Sequence, residues 1–218
     1  MTTKKTLFQS YIPIIFLSLL LNSCAVSSIT TVEKDKIQRP YSRIVVLYTG
    51  DHEEFHQLDS TTYQNFLAGK YNALKDIDFT RQINKAFQRK LQSRGTTVIK
   101  STNIFGVNEK VSYQQFLEAI QKTGAQAILI INLKNYWHTV NTTYSSNDSG
   151  TSVTNNTEPN ASFLSYLVDL KSMKPVWMSK STVLGVYAGY DTLNNHLARR
   201  VYSKLVSAHY INPKEYQD

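Results

Sequence analysis

Cysteine is all but missing from this 218-residue chain: Cys24 is the only one. One thiol forms no internal disulfide and supplies neither a redox pair nor a cysteine cage for a metal. Glycine is scarce, with 8 residues and no paired-glycine fingerprint, so a phosphate-cradling loop is excluded. No G-x-S-x-G elbow exists either, which removes the commonest hydrolase nucleophile. Long apolar runs are absent too. The longest, Tyr11 to Leu21, is eleven residues broken by Pro13 and Ser18, whereas a membrane-spanning helix takes about 20.

That short run has another use. Lys4 and Lys5 precede it, no acidic residue occurs before Cys24, and small Ser23 stands just ahead of the cysteine. Charged start, apolar middle and small residue before the cut are the layout of a secretory signal. The final four residues, Leu21-Asn22-Ser23-Cys24, resemble the lipobox of bacterial lipoproteins, with Asn22 a departure from the usual Ala or Ser. The resemblance implies cleavage between Ser23 and Cys24, a thioether-linked diacylglycerol on Cys24, and an acyl group such as palmitate on the new amino terminus. Two or more buried chains, at about 0.8 kcal/mol per CH₂, make a stable anchor. This covalent lipid is the only cofactor expected. Ala25 follows, where an Asp is the familiar inner-membrane retention signal, so the expected address is the periplasmic face of the cell outer membrane.

The domain plan expected is a signal peptide at 1–23, a lipidated cysteine with a flexible tether at 24–40, and one globular domain at 41–212. Without Lys4 and Lys5 the formal charge of the mature chain falls from +8 to +6. In an exported protein that surplus meets lipid headgroups or wall polymers; nucleic acid is not an expected partner. The basic residues are spread over two stretches, Lys85, Arg89, Lys90 and Arg94, then Arg199, Arg200 and Lys204, and read as solvated helix faces.

Residues 25–40 are polar and end at Pro40. Arg43 to Thr49 is a short β-branched run stopping at Gly50, a buried strand. Helical spacing across Tyr63, Phe66, Leu67, Tyr71 and Leu74 is interrupted by Gly69, giving a short helix or packed loop. Phe79, Ile83, Phe87 and Leu91 step by four, an amphipathic helix with its glycine stop at Gly95, and Thr96 to Ile99 follows as a strand. Ser112 and Gln115 fit a capping box opening a helix that ends at Gly124. Ala125 to Leu133 is a central strand buried on both faces, extending towards Thr139. Asn141 to Asn160 is rich in Asn, Ser and Thr and reads as a long exposed loop, disordered-looking in composition. Ala161 to Leu170 and Val176 to Val186 form a hairpin, and Asp191 caps a last helix through Leu193, Leu197, Val201 and Leu205. The fold class is α/β, a mixed sheet: early βαβ crossovers, then an antiparallel three-strand meander and a C-terminal helix.

Two short motifs carry a further resemblance. Gly124-Ala125-Gln126-Ala127 entering an apolar strand, and Val168-Asp169-Leu170 followed by Pro175-Val176-Trp177, are similar to segments in a group of envelope proteins. That group includes the amino-terminal domain of the Tol translocation protein, the lipoprotein activator of penicillin-binding proteins and the curli-secretion lipoprotein. The resemblance spans about residues 43–209. It implies a non-enzymatic accessory module that binds another envelope component, a protein or the cell wall, with partner and oligomeric state left open. A lesser reading from the same group is a secretion-channel component. Asp169 and Trp177 also have a plain structural reading, as a turn closer and a core filler.

One motif points to an enzyme instead. His52-Glu53-Glu54-Phe55-His56 matches H-E-x-x-H, which on a helix sets two zinc ligands on one face and a Glu to activate water. Against it stand charged Glu54 inside the motif, a start two residues after Gly50, and no third ligand downstream. Asp51 as a helix cap, with Glu53 and Glu54 complementing the dipole, explains the same letters. His138, His196 and His209 are isolated, so no catalytic residue and no metal ligand is assigned. Tyr136, Trp137, Tyr187 and Tyr190 lie near strand ends, as packing or as a recognition surface. The zinc peptidase remains the alternative, and it has a direct check. Purified residues 25–218 are expected to fold without zinc by elemental analysis; a stoichiometric zinc ion would reinstate the peptidase.

Overall fold

The computed structural model describes residues 27–50, 57–93, 95–148, 150–184 and 189–213. The strands are β1 (Ser27–Glu33), β2 (Arg43–Thr49), β3 (Thr97–Lys100), β4 (Ala127–Asn147), β5 (Gly150–Asp169) and β6 (Lys174–Leu184). The main helices are α1 (Ile77–Leu91), α2 (Tyr113–Lys122) and α3 (Gly189–Ser207). The strands make one mixed sheet in the order β1-β6-β5-β4-β2-β3. β2 lies parallel to both β3 and β4, while β4-β5, β5-β6 and β6-β1 are antiparallel. The expected α/β class, with its crossovers, meander and C-terminal helix, is the class observed.

The layering follows from residue parity along the central strands. Ile44, Val46 and Tyr48 of β2 and Leu129 and Ile131 of β4 face one side, where Ile83 and Phe87 of α1 and Leu197 and Val201 of α3 cover them. Val45, Leu47, Ile128 and Ile130 face the other side, against Phe116 and Ile120 of α2 and Leu58, Tyr63 and Tyr71 from the segment after β2. Apolar side chains on both faces explain why β2 and the first half of β4 are uninterrupted hydrophobic runs. Helical turns at Ser60–Thr62 and Tyr63–Leu67 realise the short helix expected there.

Local chemistry sets most boundaries. Ser112 Oγ accepts from the Gln115 amide at 3.3 Å and Gln115 Oε1 accepts from the Ser112 amide at 2.8 Å, the reciprocal box anticipated. Gly124, at φ +69, takes the left-handed step that ends α2. Asp169 Oδ1 accepts from the amides of Lys171 and Ser172, closing the β5-β6 turn, and Trp177 is wholly buried. α1 stops earlier than expected. Gln92 goes extended and its side chain accepts from the Val98 amide at 2.8 Å, so the helix ends at Leu91 and not at a Gly95 stop. α3 begins at Gly189, which leaves Asp191 inside its first turn instead of at the cap.

Two expectations change substantially. The flexible tether at 24–40 does not extend through Ser27–Glu33, because these residues pair with β6 from Ser27↔Val183 to Glu33↔Trp177. Ser-Ser-Ile-Thr-Thr-Val-Glu is rich in β-branched residues, and Ile29 packs against the core, which suits an edge strand. The loop expected at 141–160 is strand as well: β4 and β5 stay paired from Ala127↔Asp169 to Asn147↔Gly150. Threonine and valine supply the β propensity there without supplying a buried face.

Phe116 is fully buried, with ring centroids 4.7 Å from Tyr63, 5.6 Å from Phe105 and 5.8 Å from Tyr71. Phe116→Ala should lower the unfolding free energy by about 3–5 kcal/mol, and Ser112→Ala by about 1 kcal/mol. Urea titration followed by tryptophan fluorescence measures both, and equal losses would contradict the packing described.

Candidate functional site

The sheet loses its cover where β2 and β6 stop. Thr49 ends β2 opposite Asn132, and Leu184 ends β6 opposite Asn160. Beyond those points β4 and β5 continue alone as a two-stranded ribbon, Asn135–Asn147 against Gly150–Ser162 with its free part above Asn160. At about 3.4 Å per residue it reaches roughly 35–45 Å. A register shift between Leu133 and Asn135 marks its root, the kind of bulge that re-aims a strand as it leaves a sheet.

The ribbon is two-faced. Residues on one face pair as His138↔Pro159, Val140↔Thr157, Thr142↔Asn155 and Tyr144↔Val153. The opposite face pairs Thr139↔Glu158, Asn141↔Asn156, Thr143↔Thr154 and Ser145↔Ser152, entirely polar above Trp137. The exposed apolar side chains of the ribbon above its root all lie on the first face: Val140 at 59% exposure, Tyr144 at 73% and Val153 at 55%. Burial in a core explains none of them. A period of two in side-chain character is what a strand with one face meant for contact carries.

Aromatic residues brace the root. Tyr136 stacks on Tyr190 of α3 with centroids 5.6 Å apart, Tyr190 meets Phe79 of α1 edge-on at 6.2 Å, and Phe79 lies 5.2 Å from Tyr48. The Tyr136 hydroxyl is 2.9 Å from His138 Nε2. Burial, then the hydrogen bond with Tyr190, raises the Tyr136 phenol well above its ordinary pKa. This cluster ties the first pair of the ribbon to both helices. Of the aromatics flagged in the sequence, Tyr136 and Tyr190 are brought together here, Trp137 lies on the opposite face of β4, and Tyr187 lies outside the described residues.

Below the root, on the α2 side, the Thr49 hydroxyl donates to Asn132 Oδ1, and Asn132 Nδ2 is buried without a hydrogen-bond partner. Asn132 pairs with Leu164, Leu164 with Lys180, and Lys180 with Thr30, a row running to the β1 edge. An open trough of about 230 Å³ lies along it, lined chiefly by Val32, Leu164, Tyr166, Met178 and Lys180. On the other face of the sheet, α1 and α3 pack side by side, which brings Lys90 of the first basic stretch near Arg199 and Arg200 of the second. His196 is held below its ordinary pKa, first by burial and then by Arg199, Arg200 and Lys90. Arg200 Nε donates to Ser27 Oγ at 2.7 Å, bringing this basic surface to the first residue of β1.

β1 runs antiparallel to β6, so Ser27, paired with Val183, sits at the end of the sheet from which the ribbon emerges. Cys24 is three residues earlier in the chain. At no more than about 3.6 Å per residue, the two Cα atoms are within roughly 11 Å. Ser23 and Cys24 themselves lie outside the described residues, as do His52, Glu53 and His56 of the H-E-x-x-H motif. Among the described residues, no group of three or more His, Cys, Asp or Glu side chains could hold a metal ion. His138 and His196 have the contacts given above, and His209 sits at φ +61 beyond α3. No helix among the described residues is long and apolar enough to cross a membrane.

No protein-family model matches the chain, and no curated protein matches it. Among solved structures, PelC from Paraburkholderia phytofirmans, described as a dodecamer, aligns with a TM-score of 0.45 and 14% identity, covering 86% of this chain and 100% of that one. The lipoprotein GNA1162 from Neisseria meningitidis aligns with a TM-score of 0.34 and 15% identity, covering 76% of this chain and 99% of that one. At scores below 0.5 these likenesses carry no argument about function.

If the ribbon's apolar face serves contact and not folding, Tyr144→Ser with Val153→Ser should change stability by less than about 0.5 kcal/mol per site. Tyr136→Ala, which opens the root cluster, should cost several times more. Thermal and urea unfolding compare the variants; a large loss from the tip pair would show that the tip is packed.

Proposed function

We propose that this chain is a lipid-anchored, non-enzymatic module of the bacterial cell envelope, exported and attached through Cys24, most simply to the periplasmic face of the outer membrane. It binds another envelope component, and the projecting ribbon is its binding element. The observation that carries this reading is the coincidence of the ribbon root and the start of β1 at one end of the sheet, a few residues from Cys24. An anchor there leaves the domain no long tether, so it sits close against the bilayer and the ribbon works at that surface. Basic residues beside Ser27 suit a neighbouring layer of anionic headgroups.

Chemistry also bears on the channel reading. The ribbon is long enough to cross a hydrocarbon core, since spanning strands need about 9–11 residues. Its contact face, however, carries Thr142 and Asn155, bonded to each other at 2.8 Å, midway along. An amide at that depth facing lipid is costly, and so is each strand edge left without partners. A ribbon working in the aqueous layer beside the membrane fits these residues better.

Two measurements test the proposal. Cys24→Ala should abolish incorporation of labelled palmitate and leave an unprocessed precursor; unchanged labelling would overturn the anchor. Crosslinking of the tagged full-length protein in its own membranes, read by mass spectrometry, should recover an envelope component, and Val140→Glu with Tyr144→Ser should reduce that recovery at least tenfold. Undiminished recovery would remove the ribbon from the interface.

A further inference from the structure

We infer that the outer face of α1 and α3 is a second membrane contact: it lies against a bilayer surface of anionic phospholipid headgroups and lays the sheet alongside the membrane. The inference deepens the anchored reading above, on which it rests for the position of Cys24. It names the side of the domain that meets the bilayer and the lipid class that side takes.

Charge distribution is the first ground. α1 and α3 carry seven Lys and Arg against two carboxylates, Asp78 and Asp191. These two helices therefore hold +5 of the +6 expected of the mature chain. On the opposite face of the sheet, α2 balances Glu118 with Lys122. The stretch from Asn135 to Asp169, which includes the ribbon, contains no Lys or Arg at all. The net surplus thus belongs to one side of the molecule.

The arrangement of these charges is the second ground. Arg81, Lys85 and Arg89 follow one another at steps of four along the exposed side of α1, and Arg200 and Lys204 do so on α3. Like charges at that spacing destabilise a helix, whereas a merely solvated face alternates its signs. Asp78 offsets Arg81, at 3.4 Å. The helix dipole accounts for Arg89, Lys90 and Lys204, which lie in last turns. It does not account for Lys85, Arg199 or Arg200. Packing joins the two rows. Arg89 donates to Asn195 Oδ1, and both line one cleft with Lys85 and Asp191. Lys90, Arg199 and Arg200 all bear on half-buried His196.

Position decides what faces this charge. Arg200 Nε donates to Ser27 Oγ, and three residues of chain place Cys24 within roughly 11 Å of Ser27. Attraction to a charged surface fades over about 8 Å at physiological salt, a distance comparable with that reach. A lipid on Cys24 therefore holds one corner of the basic face beside the headgroups. Tilting the face onto the surface brings the other cations within the same range. Each Lys or Arg held there multiplies partition onto an anionic surface about fivefold. Because α1 and α3 cover one face of the sheet, that tilt also lays the ribbon along the bilayer, in the aqueous layer. A wall polymer would offer anionic groups too, but no part of the chain ties one to Ser27.

Cys24 is the only cysteine and is lipidated in this reading, so an added cysteine reports from one place. Ser203, exposed on α3, and Gln121, exposed on α2, mark the two sides. Full-length Ser203→Cys and Gln121→Cys are labelled with a fluorophore and reconstituted into vesicles of phosphatidylethanolamine and phosphatidylglycerol that carry a nitroxide-headgroup lipid. Quenching at Ser203→Cys should be several times that at Gln121→Cys. It should fall to the Gln121→Cys level in vesicles of phosphatidylethanolamine and phosphatidylcholine, and in about 0.5 M sodium chloride, where screening shortens the attraction. Adding Lys85→Glu with Arg199→Glu should remove the difference without lowering the melting temperature, while Lys85→Arg with Arg199→Lys should retain it. Equal quenching at the two sites overturns the inference, and so does a difference that survives in the neutral vesicles. Protection of the Ser203→Cys label by soluble polyphosphate but not by the anionic vesicles also overturns it, in favour of a wall polymer. Labelling of the parent chain at Cys24 would strike the anchor reading alone, since the comparison of the two sides can still be made with excess vesicles.

Discussion

The pairing of β4 with β5 is the constraint on which the rest of the molecule depends. It is one continuous ladder, from Ala127↔Asp169 at the base to Asn147↔Gly150 at the tip. The lower half is the centre of the sheet: β2 and β6 flank it, and Phe163, Leu167, Ile128 and Ile130 are sealed from water on both sides. The upper half has no layers at all. Hydrogen bonds set in the hydrophobic base hold the register of strands that could not hold it themselves, since backbone pairing yields only modest net stability where water competes. A ribbon in solution owes its shape to a core it does not touch.

The change from one regime to the other occurs within a few residues. Ile131 is core; Asn132 is buried yet polar, receiving the Thr49 hydroxyl; the bulge follows; and Tyr136 already leans on α3. Asn132 ends the region where β4 is covered on both faces. An unpaired amide at that place costs free energy of about 1–3 kcal/mol. It sits where parallel β2 and β4 present their carboxyl ends, the part of an open α/β sheet that functional groups commonly occupy. The aromatic cluster above it orients the ribbon relative to both helices, so its direction is fixed by packing on α1 and α3.

Legibility in the sequence followed burial. β2 and the base of β4 were plain because two covered faces demand unbroken apolar runs, and α1 and α2 because one covered face demands a step of three or four. Ser112 and Gln115 named their own roles. β1 and the ribbon did not stand out, since neither buries enough to show an apolar pattern. The signal for the ribbon is propensity alternating at a period of two, through Tyr136, Val140, Tyr144 and Val153 amid threonines, with Asn-Asp-Ser-Gly at 147–150 as its turn. Asparagine content masked it, since asparagine is ordinarily a loop residue. β1 was hidden for a different reason: at an edge, half of each side chain faces water, and Ser27–Glu33 looks like any polar linker until β6 lies beside it. The spatial nearness of the start of β1 and the ribbon root is a property of topology, and no local pattern carries it.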